Sequence, residues 1–389
     1  MSVLIIETNE YKNFLPISRT KFLWDITTGI FTPYQRFEKQ FHDVKVYSQR
    51  LENEPYSLLK NEIGNKLYNP ENNINTIINS QFIPFENLSP QINRIGITKD
   101  GKFVYIRLEN IKKDLIDMIC NNEISNLLSK YQEKEVEGIY INNFLDIIKY
   151  NSKIIEYETY LIKSDSNFIS PNNNIYIDKT AKIMQFVSMQ PENGSIIIDK
   201  GAIIKPFSYI EGPSYIGKGS IIENSKIKSG TTIKEYCKIN GEISESIFES
   251  YSIKDGLGFI GNSYIGNCVY IGNQTSICNF KNNLENINLK LGNEIIEANL
   301  EKFGAIIGDY STLGMGLIIK EGSIISEFSS LFLSDNPVYS NCKPFSWGMN
   351  SKYKIDKLID FVKKRMKIHN IQLSSEKEKF IIYLYNNEN

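Results

Sequence analysis

One six-residue rhythm runs through most of the chain between Ile198 and Leu331 and limits what that segment can fold into. Aliphatic residues recur at Ile198, Ile204, Ile210, Ile216 and Ile222, at Ile227, Ile233 and Ile239, at Ile247 and Ile253, and at Ile265, Ile271 and Ile277. After an interruption they resume at Ile307, Leu313, Ile319, Ile325 and Leu331. A helical face would repeat at three and four residues, and a half-buried strand at two. A strict six fits a parallel β-helix of hexapeptide repeats, in which three short strands make one triangular turn of about eighteen residues. Every sixth side chain points inward and stacks on its equivalent in the next turn. Glycines that follow the aliphatics, as in Ile216-Gly217 and Ile271-Gly272, suit the corners.

The rest of the chain frames this solenoid. Its 389 residues allow two or three domains, and a hydrophobic share of 41% is ample for packed cores. A net charge of −1 gives no electrostatic reason to expect nucleic acid or an anionic membrane as partner. Five scattered cysteines, never spaced as C-x-x-C, suggest free thiols in a reducing, cytoplasmic setting. Met1–Lys12 reads as a first buried strand, with no basic leader and no cleavage pattern. No apolar segment approaches the roughly twenty residues that span a bilayer.

Residues 1–165 lack the rhythm and mix strand and helix patterns, as an α/β domain does. Val3–Ile6, Ile74–Phe85 and Phe103–Leu108 read as strands, and Tyr34–Phe41 and Asn110–Tyr131 as helices. Lys163–Asn174, with Ser164, Pro171 and the three asparagines that follow Pro171, reads as the linker. The β-helix is expected over 175–335, with an excursion at Cys278–Lys302 that rigid scaffolds often use for binding. Pro337, Pro344 and Trp347-Gly348 mark an irregular crossing. Two helices within 350–389 then read as a cap over the open end of the solenoid, the second opened by a Ser375/Glu378 capping pattern.

Several stretches resemble the two-domain sugar-nucleotide enzymes that join a sugar-1-phosphate nucleotidyltransferase to a left-handed β-helix acyltransferase, the type that makes UDP-N-acetylglucosamine. They are Phe14-Leu15-Pro16, Trp24-Asp25-Ile26, Thr28 to Thr32, Tyr236 to Ile239, Gly258 to Ser263, Asn279 with Lys281 to Asn283, and Pro344 to Gly348. The chain looks closest to a divergent branch without the glycine-rich nucleotide signature. The resemblance implies a left-handed parallel β-helix after an α/β nucleotidyltransferase-like domain, and a homotrimer with acyl-transfer sites between subunits. It also implies UTP or another nucleoside triphosphate, a sugar 1-phosphate, Mg2+ in the first domain and acetyl-CoA as co-substrate, in a cell-envelope precursor pathway.

The residues depart from that pattern where chemistry would occur. Acetyl transfer to an amine needs a base, usually histidine. The resemblance places it at Gly256, and the only histidines are His42 and His369, so the solenoid has none. Asp255 is the candidate substitute base, although aspartates are also ordinary turn residues. Asn279 matches an asparagine used near the acetyl group and equally suits a solenoid corner. Phe259 falls where an aromatic hydroxyl would face the sugar; it and Glu242 are candidate substrate-contacting positions. After Val3–Ile6 come Glu7, Thr8 and Asn9 instead of a phosphate-cradling glycine loop. Arg19, Lys21 and Arg36 are the candidate phosphate-neutralising residues, Gly29 a turn permitting close approach, and Asn79 a candidate substrate contact. Two functions remain open: a nucleotidyltransferase with weakened acetyl transfer, or a non-catalytic trimeric scaffold that binds a sugar nucleotide. Convergence of Arg19, Lys21, Arg36 and Asn79 on one cleft would favour the enzyme.

Overall fold

The computed structural model describes every residue except 72, 164, 292–293, 334–337 and 388–389. Ser164 of the expected linker and Pro337 of the expected crossing lie outside the described residues. The chain divides into two compact units: residues 1–146 together with 374–389, and residues 147–373.

The first unit is built on a six-stranded sheet. Its strands are β1 (Ser2–Ile6), β2 (Asp43–Tyr47), β3 (Thr76–Asn79), β5 (Arg94–Ile97), β6 (Phe103–Arg107) and β7 (Gln132–Glu135), in the order β2-β1-β3-β6-β5-β7. A separate two-stranded antiparallel sheet pairs β4 (Phe82–Pro84) with β8 (Gly138–Tyr140). β1 pairs in parallel with both β2 and β3, and its Val3–Ile6 run is buried on both faces, as a parallel strand between two layers requires. Ile74–Phe85, expected as one strand, is two, because the chain turns at Ser80–Gln81. Asn110–Tyr131, expected as one helix, is α3 (Lys113–Cys120) and α4 (Ser125–Lys130). Asn122 between them takes a left-handed conformation, φ 62°, which ends a helix.

The second unit is the expected solenoid. Its three interior columns follow directly from the strand register. One stacks Ile198, Ile216, Ile233, Phe248, Ile265, Ile307 and Ile325. The second stacks Ile204, Ile222, Ile239, Lys254, Ile271, Leu313 and Leu331. The third stacks Ile210, Ile227, Ile243, Ile260, Ile277, Ile319 and Tyr339. The rhythm thus places Ile247 and Ile253 wrongly: the inward residues are Phe248 and Lys254. Two shortened corners, from Ile239 to Ile243 and from Ile243 to Phe248, shift the phase. Ile247 also misleads because its outward side is itself fully buried.

That burial reflects α5 (Phe144–Lys163), which begins three residues before the division between the units. Asn151 Nδ2 donates to the Gly230 carbonyl (2.9 Å) and to Thr232 Oγ1 (3.1 Å), seating the helix on the first face of the solenoid. The division between the two compact units falls in the first turn of α5.

The carboxy-terminal helices separate. α6 (Ile355–Lys367) stays with the solenoid, beside a corner where Tyr251 meets His369 (ring centroids 5.0 Å) and Tyr310 meets Met366. Stacked rings at that corner, Tyr310 on Phe328 (5.4 Å) and Phe328 on Phe345 (5.1 Å), continue the ladder. α7 (Ser375–Asn386) belongs to the first unit, with Phe380 edge-on to Tyr56 at 5.5 Å. The expected single helical cap over 350–389 is corrected accordingly.

Candidate functional site

In an open α/β sheet, ligands bind beyond the carboxyl ends of the parallel strands. Here β1 ends at Ile6 and β3 at Asn79, paired in register. Just past them lies a polar network drawn from distant parts of the sequence. Asn79 Nδ2 donates to Tyr140 Oη (2.8 Å), and Asn79 Oδ1 accepts from the Gln81 backbone (3.0 Å). Gln81 Nε2 donates to Glu10 Oε2 (2.9 Å), while its carbonyl oxygen accepts from Thr8 Oγ1 (3.0 Å). Tyr140 Oη donates to Glu10 (3.3 Å), and Lys102 Nζ lies 3.9 Å from the same carboxylate and over the Tyr140 ring. Burial, with the Glu10 charge beside it, pushes the Tyr140 phenol well above its ordinary value, so it remains a donor.

The turn after β1 is fixed from beneath. Glu7 and Arg50 form a buried pair, with Nη2 to Oε2 at 2.6 Å and Nε to Oε1 at 2.7 Å. Glu7 also accepts from the Leu23 backbone (2.7 Å) and from Ser48 Oγ (2.7 Å). Arg50 donates to the Ser18 and Lys21 carbonyls and lies against the rings of Tyr11, Phe22 and Tyr56. A glycine loop cradles phosphate with backbone N–H groups. This chain instead anchors the same turn through a side-chain ion pair, and beside it leaves a cavity of about 200 Å³ lined by Glu7, Thr8, Asn9, Tyr11, Ser48 and Arg50.

Arg36 is buried, and its Nη2 donates to the Thr28 carbonyl (2.8 Å), Thr28 Oγ1 (3.0 Å) and the Phe31 carbonyl (3.2 Å). It thereby holds the turn that contains Gly29, whose φ of 75° explains the glycine. Lys21 is buried, and its carbonyl serves Arg50; the Arg19 carbonyl accepts from Tyr56 Oη (3.2 Å). Asn79 joins the network at the strand ends. Sequence reading missed Glu10, Gln81, Lys102 and Tyr140, because separations of up to 130 residues leave no local pattern.

In the solenoid, Asp255 is exposed and receives a long hydrogen bond from Tyr270 Oη, 3.4 Å. Asn279 is buried at a corner, its Nδ2 donating to Asn262 Oδ1 (2.7 Å); Asn262 in turn donates to Glu245. The strand Phe259–Gly261, about 10 Å long at strand rise, lies between the Asp255 turn and Asn262. Glu242 and Phe259 pair side by side on the third face, with Glu242 3.3 Å from Lys228 Nζ.

Gly256 now has a physical reason. Its φ is 61°, and a Cβ there would sit 2.2 Å from Asn273 Oδ1. A histidine there would have to displace the Asn273 side chain, whose Oδ1 accepts from the Leu257 backbone (2.9 Å). Beside it, Lys254 replaces an interior isoleucine and is fully buried. Its Nζ donates to the carbonyls of Asp255 (3.1 Å), Gly256 (2.8 Å) and Leu257 (2.7 Å). Burial lowers its pKa from 10.5 to about 8.

Residues 3–171 match the profile of the sugar nucleotidyl transferase family. The bifunctional sugar-1-phosphate nucleotidylyltransferase/acetyltransferase of Sulfurisphaera tokodaii is 28% identical over 290 residues, 69% of this chain and 66% of that protein. The bifunctional protein GlmU of Wigglesworthia glossinidia brevipalpis is 31% identical over 153 residues, 36% of this chain and 33% of that protein. The uncharacterized acetyltransferase YaiX of Escherichia coli O6:K15:H31 is 29% identical over 157 residues, 40% of this chain and 68% of that protein. The matched stretches thus span 66% and 33% of the length of the first two relatives.

Proposed function

We propose that the first unit transfers a nucleotidyl group from UTP to a sugar 1-phosphate, N-acetylglucosamine 1-phosphate being the first candidate. The observation that carries this reading is the Asn79–Gln81–Glu10–Tyr140–Lys102 network at the carboxyl ends of β1 and β3, inside the stretch that matches the family profile. In the reaction a phosphate oxygen of the sugar 1-phosphate attacks the α-phosphorus, and pyrophosphate leaves. Such transfer depends on positioning and charge neutralisation. Lys102, with its ammonium partly exposed, would neutralise phosphate charge. Asn79 and Gln81, fixed by their neighbours, would orient the nucleotide. Mg2+ takes one or two carboxylates plus phosphate oxygens, and Glu10 at the strand ends fits that donor set; bound there, the ion would neutralise charge on the leaving pyrophosphate.

For the second unit we propose a left-handed trimeric β-helix in which acetyl transfer from acetyl-CoA is weakened. Gly256, where the resemblance places the catalytic histidine, supports the weakening. The same glycine and the engagement of Arg36 by its own turn favour, as second reading, a binding scaffold without catalysis. Exposed apolar side chains support self-association: Phe186 and Phe207 are exposed and stacked at 5.6 Å, and Leu257 and Met315 are exposed on later turns.

The test is release of pyrophosphate from UTP with N-acetylglucosamine 1-phosphate and Mg2+. Turnover that falls at least 100-fold in both Asn79→Ala and Lys102→Ala is the expected result. No release by the folded wild-type protein would remove the enzyme reading and leave the scaffold.

A further inference from the structure

The net charge of −1 conceals a local excess, because residues 343–367 hold eight basic side chains and only two acidic ones. The structure puts most of that excess in solvent. α6 turns Leu358, Ile359, Val362 and Met366 inward, and the helical period sets Lys357, Lys364 and Lys367 on the opposite face, where all three are exposed. Lys343, Lys352 and Lys354, before the helix, are exposed as well. Asp360 offsets one of these charges, at 2.7 Å from Lys364 Nζ.

Apolar side chains adjoin this basic helix. A tight antiparallel hairpin pairs Ser346–Trp347 with Ser351–Lys352. It leaves Trp347 43% and Met349 55% exposed, and on the last coil Leu333 is 61% exposed. Phe332, Trp347, Tyr353 and Phe361 run in ring contact from that coil through the hairpin to α6, with successive centroids 5.3, 4.6 and 6.3 Å apart. The exposed apolar tip and the start of the basic helix are therefore neighbours. We propose that this end of the solenoid docks on an anionic lipid bilayer. Reversible attachment takes two signals together, apolar insertion and basic attraction. Tryptophan favours the level of the headgroups, and each lysine near an anionic surface adds attraction. A nucleic acid would satisfy the lysines and leave Leu333 and Met349 unused, so the bilayer fits the whole surface. The inference goes beyond the nucleotidyl-transfer reading and does not depend on it.

The experiment is flotation of the full chain with vesicles of phosphatidylcholine alone, or of equal parts phosphatidylcholine and phosphatidylglycerol. Tryptophan emission is recorded on the same samples. Trp24 is buried and Trp347 is the other of the two tryptophans, so a blue shift on binding reports Trp347 entering the bilayer. Two double variants, Leu333→Asp/Met349→Asp and Lys357→Glu/Lys367→Glu, change exposed side chains only. The expected result is binding to the anionic vesicles at least tenfold stronger than to the neutral ones, with a blue shift, and a loss of fivefold or more in each variant. Absence of flotation, flotation without a blue shift, or flotation unchanged in either folded variant overturns the proposal. So does a protein that ignores the vesicles but binds a single-stranded oligonucleotide through the same lysines. Flotation requires no turnover, so its failure is distinguishable from failure of pyrophosphate release.

Discussion

Lys254 offers the sharpest energetic test of the solenoid. It occupies an interior position between Ile239 and Ile271, with three backbone carbonyls around its ammonium. The gap between the ordinary 10.5 and the depressed value of about 8 corresponds to about 3 kcal/mol. Below pH 8 the lysine is charged in both folded and unfolded chains. Between pH 8 and 10.5 the unfolded chain keeps a proton that the folded chain has released. The unfolded state then binds more protons, and stability rises with pH across that window. Lys254→Met keeps the stem and removes the titration, and every other ionisable group is shared by the two proteins. Urea unfolding followed by circular dichroism from pH 7 to pH 10.5 gives the difference in stability between them. That difference should shift in favour of the wild type by about 3 kcal/mol over the window. A difference that stays flat within about 0.5 kcal/mol, or shifts the other way, refutes the claim that burial dominates the carbonyl contacts.

Glu7→Gln should lower the stability of the first unit by about 3–5 kcal/mol, because Arg50 would stay buried without its charge partner; urea unfolding monitored by Trp24 fluorescence reads it. Gly256→His should lose about 1–3 kcal/mol and leave thiol release from acetyl-CoA with glucosamine 1-phosphate no faster than wild type. A gain of activity without loss of stability would contradict the account of that corner. Phe186→Asp combined with Phe207→Asp should convert a trimer into monomers in sedimentation velocity; an unchanged trimer would place the interface elsewhere.

The solenoid was legible because its interior is one-dimensional: each inward residue stacks on its equivalent one turn away, so the period survives in the sequence. It failed only where shortened corners changed the phase, at Phe248 and Lys254. A buried lysine cannot be told from a surface lysine by type, and only the register reveals it. The first unit was less legible. Tyr140 reaches Asn79 across 61 residues and Glu10 across 130, separations that carry no periodic signal. Arg36 looked like a phosphate ligand because a basic residue beside a glycine turn has the same sequence signature whether it serves a ligand or its own backbone. α7 read as a cap because its amphipathic pattern shows that it packs, without showing on what.

The central claim is the position of the nucleotide site at the carboxyl ends of β1 and β3. Photo-crosslinking with 4-thio-UTP in the presence of Mg2+, followed by peptide mass spectrometry, locates it directly. The account predicts adducts in peptides containing Thr8–Tyr11, Asn79–Gln81, Lys102 or Tyr140, suppressed by excess UTP. Adducts confined to the solenoid, or none suppressed by UTP, would contradict it.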